Sequence, residues 1–292
     1  MRKKILIVIS VLFILLLGVV FYLTMSKDNP RNPEPVHVSQ YFHEAEYINA
    51  SINKLDGIDG LDLKEVFGGV VSHHISTAIP FLAEFYSKLK KSKDVDTFVV
   101  LAPDHFGKTE NSISISKAEF ITPFGKLMPD LETIEKLEKS GLVKQDENPF
   151  NDHSIDSQML FIGRLFPNSK IVPIMFRFNA PSRLAEELGE LLASVVGPNT
   201  FIVASVDFSH YLNKGQAQLL DIQSASILDL RNPKLVNLTE SDSPQSLITL
   251  ITAANKLGAD SNISLGVFNS SELNNKEDYT TGYVIQFLGS KK

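Results

Sequence analysis

The chain has 292 residues, a formal net charge of -6 and no cysteine. That length carries one large α/β domain or two small ones, with a real core. The missing cysteine excludes disulfides, zinc–thiolate sites, a thiol nucleophile and a lipoprotein-type anchor, and the interspersed charges leave no nucleic-acid footprint.

In chain order, Arg2, Lys3 and Lys4 precede an uncharged run, "ILIVISVLFILLLGVVFYLTM", over residues 5–25. As a helix, such a run crosses roughly 30 Å of hydrocarbon. A cleavable signal has a core of ~7–15 residues and a small-x-small cleavage site. No such site stands in "GVVFYLTMSKDNP", so an uncleaved transmembrane signal anchor is preferred to a cleaved signal. The basic residues put residues 1–4 in the cytoplasm and the globular part outside, on a single-pass protein of the cell membrane. Residues 26–45 carry Pro30, Pro33 and Pro35 and read as an extended spacer. His37 and His43, in or near it, read as solvated surface histidines. The globular domain is expected over residues 46–292.

Within that domain strands and helices alternate. Strands are expected at 65–73, 96–105, 169–178, 200–210, 261–271 and 281–289. Helices are expected at 77–92, 130–141, 154–167, 182–197, 216–230 and 243–258. Near-continuous apolar strands separated by helices predict an α/β fold with a mainly parallel or mixed central sheet, covered by helices on both faces.

Three of the strands end in polar clusters. "VFGGVV" runs into Ser72-His73-His74, "FVVLA" into Pro103-Asp104-His105, and "FIVAS" towards Asp207-Phe208-Ser209-His210. The carboxyl ends of strands in open α/β sheets share one edge, and ligands bind in the crevice there. His73, His105 and His210 are therefore expected to converge. A fourth histidine, His153, opens a helix between Asp152 and Asp156. A lone histidine beside an apolar run is more often a satisfied structural residue, but several with nearby carboxylates point to a polar or metal site. Two histidines and one carboxylate with open positions suit Fe(II), and zinc accepts the same donors. A metal-free site with a carboxylate-oriented histidine and a serine nucleophile is the competing chemistry. No G-x-S-x-G elbow, P-loop or dinucleotide fingerprint is present. Neighbours on an extended strand face opposite ways, so only one of His73 and His74 is expected in the cleft.

The blocks "GGVVSHHIS", "VVLAPDHFG", "DHSIDSQM" and "VASVDFSHYL" resemble, in the same order, the signature blocks of the Memo-like family. Its bacterial and archaeal members are called AmmeMemoRadiSam system protein B. The resemblance covers roughly residues 65–288 and implies the fold of class III extradiol dioxygenase catalytic subunits. It implies His73 and His105 as metal ligands, His153 as a pocket residue, and His210 as an acid–base group oriented by Asp207. The late "S-Y-x-x-G" block of the family matches Asp278 to Gly282. The family's frequent third ligand, a cysteine, is missing. Glu240 or Asp242, in the matching segment "LTESDSPQSL", is expected to replace it. In the competing reading this segment only caps the next helix, through Asp242 or Ser243. The glycine and tyrosine of the family's H-A-G-Y block are missing, replaced by His74-Ile75-Ser76.

The expected function is a membrane-anchored protein with a histidine-lined cleft for a divalent metal, Fe(II) before zinc. The activity implied is redox or dioxygenase-like, on an unidentified substrate. A non-catalytic module holding a small molecule or peptide in the same cleft is the alternative. Hydrolysis by metal-activated water is a weaker third reading. No nucleic-acid partner is expected.

Overall fold

The computed structural model describes residues 35–292. The anchor expected at residues 5–25, the basic end before it and most of the spacer lie outside the described residues. Among those described, no helix is long and apolar enough to cross a membrane.

The elements follow in chain order. They begin with β1 Val36–Val38, α1 Ala45–Asn53, β2 Glu65–Val71, α2 Ile79–Ser92 and β3 Thr97–Pro103. Next come β4 Ile113–Ile115, β5 Glu119–Thr122, β6 Gly125–Pro129, α3 Leu131–Lys139 and β7 Lys144–Gln145. Then come α4 His153–Leu165, β8 Lys170–Phe176, α5 Ser182–Val195, β9 Thr200–Ser205, β10 His210–Leu212 and α6 Lys214–Asp229. The last are α7 Pro244–Leu257, β11 Ser261–Asn269, α8 Ser271–Asn274 and β12 Thr280–Ser290.

The sheet is mixed. Its centre, in the order β8-β3-β9-β2, is parallel. β12 pairs antiparallel to β2 on one side and to β11 on the other, and β5 with β6 forms an antiparallel hairpin. Every residue of β3, "TFVVLAP", is buried, as a strand covered on both faces requires. The pleat sends Phe98, Val100 and Ala102 to one face, among Leu82, Phe85 and Phe161 of α2 and α4. It sends Val99 and Leu101 to the other, among Leu188, Leu192 and Leu250 of α5 and α7. Each of the larger side chains, Phe98, Val99, Val100 and Leu101, stabilises the fold by roughly 1.5–3 kcal/mol through burial. Gly68 in β2 is required by close approach, because a Cβ there would lie 2.4 Å from Ile202 O of β9 and 2.5 Å from Leu250 Cδ1 of α7.

The segment before α1 differs from the spacer expected. His37 is 7% exposed. Its Nε2 lies 3.0 Å from Glu147 Oε2, and its ring packs 4.8 Å from that of Phe120. β1 pairs parallel to β5, Gln40 N donates to Asp156 Oδ2 at 2.7 Å, and Glu44 accepts from Ser76 Oγ. The compact unit therefore begins at Pro35, and the solvated reading of His37 is corrected. A three-residue strand is too short to show its alternation among prolines.

The centre of the sheet places the functional residues. Val71 pairs with Ser205, and Pro103 with Phe176. The carboxyl ends of β2, β3 and β9 thus stand side by side, and the polar residues that follow them leave the same edge.

Candidate metal centre

His73 follows the end of β2 and is 1% exposed. Its backbone N–H donates to Asp207 Oδ1 at 3.2 Å, and its Nδ1 lies 3.3 Å from Ser205 Oγ. These contacts aim Nε2 at Asp242. His74, next in sequence, goes elsewhere. Its Nδ1 lies 2.7 Å from Tyr283 Oη, and it stays half-buried. One histidine of the doublet thus enters the cleft and the other joins its wall.

His105 follows β3. Asp152, fully buried as the N-cap of α4, holds it in place. Asp152 Oδ2 accepts from the His105 backbone N–H at 2.9 Å, and Oδ1 lies 3.0 Å from its Nδ1. Oδ1 also accepts from Ser154 N at 2.9 Å. One carboxylate therefore both starts the helix and orients the ring. His153, the first residue of α4, stacks on His105 with ring centroids 4.4 Å apart, and its ring is 5.3 Å from that of His73. The ring nitrogens of His73, His105 and His153 come within 4.8 Å of one another.

Asp242 completes the cluster from the turn before α7. Its Oδ2 lies 3.1 Å from His73 Nε2 and 3.5 Å from His105 Nε2. Ser243, not Asp242, caps the helix, accepting from Ser246 N at 3.4 Å, so the two acts considered for this segment fall on adjacent residues. Asp242 is held by the Asp207 backbone, which donates its N–H to Oδ1 at 3.2 Å and accepts from Asp242 N at 3.0 Å. Glu240 is exposed and belongs to neither group of candidate metal donors; its backbone N–H donates to Ser224 Oγ at 3.0 Å.

The pairing of Asp207 with His210 expected from the sequence is not formed. Asp207 Oδ1 accepts from Ser72 Oγ at 2.5 Å and from His73 N, and Oδ2 lies 3.6 Å from His73 Nε2. β9 ends at Ser205, five positions before His210. The chain then crosses to β12, where Phe208 N donates to Gly282 O at 2.9 Å and Gly282 N to Ser209 O at 2.8 Å. His210 lies beyond this crossing, in β10 opposite Thr281. His153 occupies the third place in the ring cluster that strand-end reasoning gave to His210. Asp221 of α6 fixes the crossing by accepting from Ser209 N at 3.0 Å and Ser209 Oγ at 2.9 Å. Gly282 makes room for it, since a Cβ there would fall 2.0 Å from Asp221 Oδ2.

The electrostatics follow from burial and these pairings. Burial opposes charge on His73, but Asp207 and Asp242 outweigh it and raise its pKa. Burial acts the same way on His105, and Asp152 and Asp242 bring it to about 10. His153 is pushed down to about 4 by burial and by the charges of His73 and His105. Burial would raise Asp242, but its two histidines hold it well below the usual carboxylate range. Buried Asp221 is raised to about 6, burial outweighing its bonds to Ser209.

Asp242 Oδ2 is sealed from water and has no aligned hydrogen-bond donor. A buried carboxylate oxygen needs an opposite charge beside it. Donor atoms ~2.0–2.2 Å from one metal sit about 3.0–3.5 Å apart at 90–109°. The observed 3.1 and 3.5 Å fall in that range. Two groups of donors could hold a metal ion, His73-His105-His153 and His73-Asp207-Asp242. Asp242 Oδ2 also lies near His105 Nε2, and no metal identity follows from the donors alone.

A polar layer stands behind the ligands. Gln158 of α4, fully buried, donates to Ser72 O and Ser205 Oγ, both at 2.9 Å, and accepts from Tyr86 Oη at 2.8 Å. Ser205 Oγ donates to Ser154 O at 2.6 Å. Sequence reasoning did not single out Gln158 or Ser205. The available signal was a glutamine directly before the apolar run Met159–Ile162 of α4.

The family model described as Memo-like protein matches residues 41–281. The chain belongs to the Memo-like family. A MEMO1 family protein of Methanosarcina mazei is 30% identical over 239 residues, covering 77% of this chain and 87% of that protein. One from Aquifex aeolicus is 27% identical over 233 residues, covering 74% of this chain but only 60% of its own length. The crystal structure of an uncharacterised Escherichia coli K12 protein superposes with a TM-score of 0.51 at 13% identity. It covers 76% of the Memo-like chain and 99% of the other, which is a likeness of fold alone.

Proposed function

We propose that this Memo-like protein is a divalent-metal protein, with His73, His105 and Asp242 as ligands, acting on a small substrate in the cleft above them. The single observation that carries the reading is the buried Asp242 Oδ2, without an aligned hydrogen bond and 3.1 and 3.5 Å from two imidazole nitrogens. Two histidines and one carboxylate with open positions favour Fe(II), with zinc as the other candidate. Bound there, the metal would supply Lewis acidity and, as Fe(II), an electron source for redox or dioxygenase-like chemistry. The chain's own residues supply the rest. Asp152 fixes the His105 ring through Nδ1, and Asp207 fixes the backbone of His73. His153 turns Nδ1 to Asp152 Oδ1 at 3.3 Å, which leaves Nε2 to accept or donate a proton beside a substrate.

The same reading places the domain outside the cell membrane, tethered through residues 5–25 and the proline-containing spacer. A reporter fused after residue 45 tests the side of the membrane. The metal reading is tested by titrating the purified chain with Co(II), and by oxygen uptake under Fe(II) with small organic substrates. Absence of any divalent-metal binding removes the reading. Metal binding without turnover of any substrate leaves the cleft as a ligand-binding module.

A further inference from the structure

At the mouth of the histidine cleft lies a hollow of about 320 Å³ lined by Gln40, Tyr41, Phe106, Lys108, Asn151 and His153. Its lining carries one full charge, a positive one, although Asp152, Asp156 and Glu44 stand behind Tyr41. The chain carries -6 overall, yet no acidic residue lines the hollow and Lys108 supplies a full positive charge. The nearby carboxylates face inward. Asp152 is fully buried and spent on His105 and Ser154, and Asp156, 7% exposed, accepts from Gln40 N.

The lining is mixed, with two aromatic rings, Tyr41 and Phe106, among polar side chains. Phe106 is 57% exposed, with Lys108 Nζ 5.2 Å from its ring centroid. An uncovered ring beside a cation is suited to a ligand with an apolar body and a negative end. Gln40 and Asn151 bring amide groups that can orient that end. The wall formed by Gln40 and Tyr41 is held by the Gln40 bond to Asp156, by the β1–β5 ladder and by the His37–Glu147 pair. The volume falls at the lower end of the range for small-molecule sites, ~300–1,000 Å³.

We propose that this hollow binds a small organic carboxylate, its apolar body on Phe106 and Tyr41 and its charge met by Lys108. The proposal rests on the metal reading only where it takes this carboxylate for the substrate. A phosphate fits less well, because its larger charge calls for more donors than one lysine and two amides provide.

The test is calorimetric titration of the full-length chain in detergent, stripped of metal with chelator, using benzoate, hexanoate, benzyl alcohol and inorganic phosphate. At least one carboxylate is expected to bind, with the neutral alcohol and phosphate about tenfold weaker or more. Lys108→Ala is expected to weaken the carboxylate by about tenfold, while Lys108→Arg retains it. Phe106→Ala weakens it as well. Which of benzoate and hexanoate binds more tightly tells a ring-shaped body from a chain. Equal binding of benzyl alcohol or phosphate, an unchanged affinity in Lys108→Ala, or no carboxylate binding at all overturns the proposal. A Co(II) titration of the same sample separates the two claims. Carboxylate binding without cobalt binding sinks the metal reading alone, and cobalt binding without carboxylate binding sinks the hollow alone.

Discussion

His73 Nε2 lies 3.1 Å from Asp242 Oδ2, and that oxygen is buried without a hydrogen bond. The two residues are far apart in sequence and meet because β2 and β9 end side by side. Asp207, just past β9, binds the backbone of both neighbours. The pair is a geometry in search of a cation. Asp207 and Asp242 favour a proton on His73, and Asp152 and Asp242 one on His105; a divalent metal would compete with those protons.

Asp242→Ala is expected to weaken Co(II) binding by at least about 100-fold, since loss of even an outer partner costs ~10–100-fold. Glu240→Ala is expected to leave it unchanged, because Glu240 is exposed and in neither group of candidate donors. Spectroscopic titration of both variants checks this, and equal loss in both would remove the distinction drawn between the two acids.

Gln158 joins Ser72, Ser205 and Tyr86 at the base of the site. Gln158→Leu leaves their buried polar groups unpaired, at ~1–3 kcal/mol each. Chemical denaturation of the metal-free protein is expected to show a loss of about 2–4 kcal/mol. A loss under about 0.5 kcal/mol, the size of an ordinary surface effect, would mean that water replaces the glutamine.

Asp221 gives a pH dependence of definite sign. Its folded pKa, about 6, stands above the ordinary value of 3.8. Its contribution to stability is therefore fully present below pH 3.8 and is lost as pH rises through about 6. Glu240 adds to the raised value and His210 opposes it. Asp221→Asn removes the charge and keeps an acceptor for Ser209. The variant is expected to be about 1–3 kcal/mol more stable than the parent at neutral pH. The gap should close as pH falls towards 4. A pH-independent difference would show that the charge at Asp221 is not the cause.

Gly282 and Asp221 are expected to be coupled. Gly282→Ala drives a Cβ to within 2.0 Å of the Asp221 carboxylate, and overpacking of that kind costs ~1–3 kcal/mol or more. Asp221→Ala alone removes the bonds to Ser209. The double variant is expected to be more stable than the sum of the two single losses predicts. A thermal-unfolding double-mutant cycle measures the coupling, and simple additivity would contradict the contact.

The alternation of apolar strands and helices was readable because both periods are strong in segments such as "TFVVLAP" and "SRLAEELGELLASV". The strand-end rule brought His73 and His105 to one edge for the same reason. It misplaced His210, because the run through "FIVASVDFSH" hides where pairing to β9 stops and the crossing to β12 begins. The choice between Glu240 and Asp242 was not readable either. Both are acids in one turn, and the backbone bonds between Asp207 and Asp242 that decide it are tertiary. The hairpin β5–β6 and strand β1 escaped notice because each is short, and three to five residues show little alternation. Nearby prolines make His37 read as a spacer residue, but Phe120 and Glu147, which bury it, come from distant parts of the chain.

The most direct test is anomalous diffraction from crystals of the chain loaded with Fe(II) or Co(II). The account predicts one strong anomalous peak, ~2.0–2.2 Å from His73 Nε2, His105 Nε2 and an Asp242 oxygen. That peak should vanish in Asp242→Ala. A peak held by other residues, or a loaded crystal with no peak at this cluster, would contradict it.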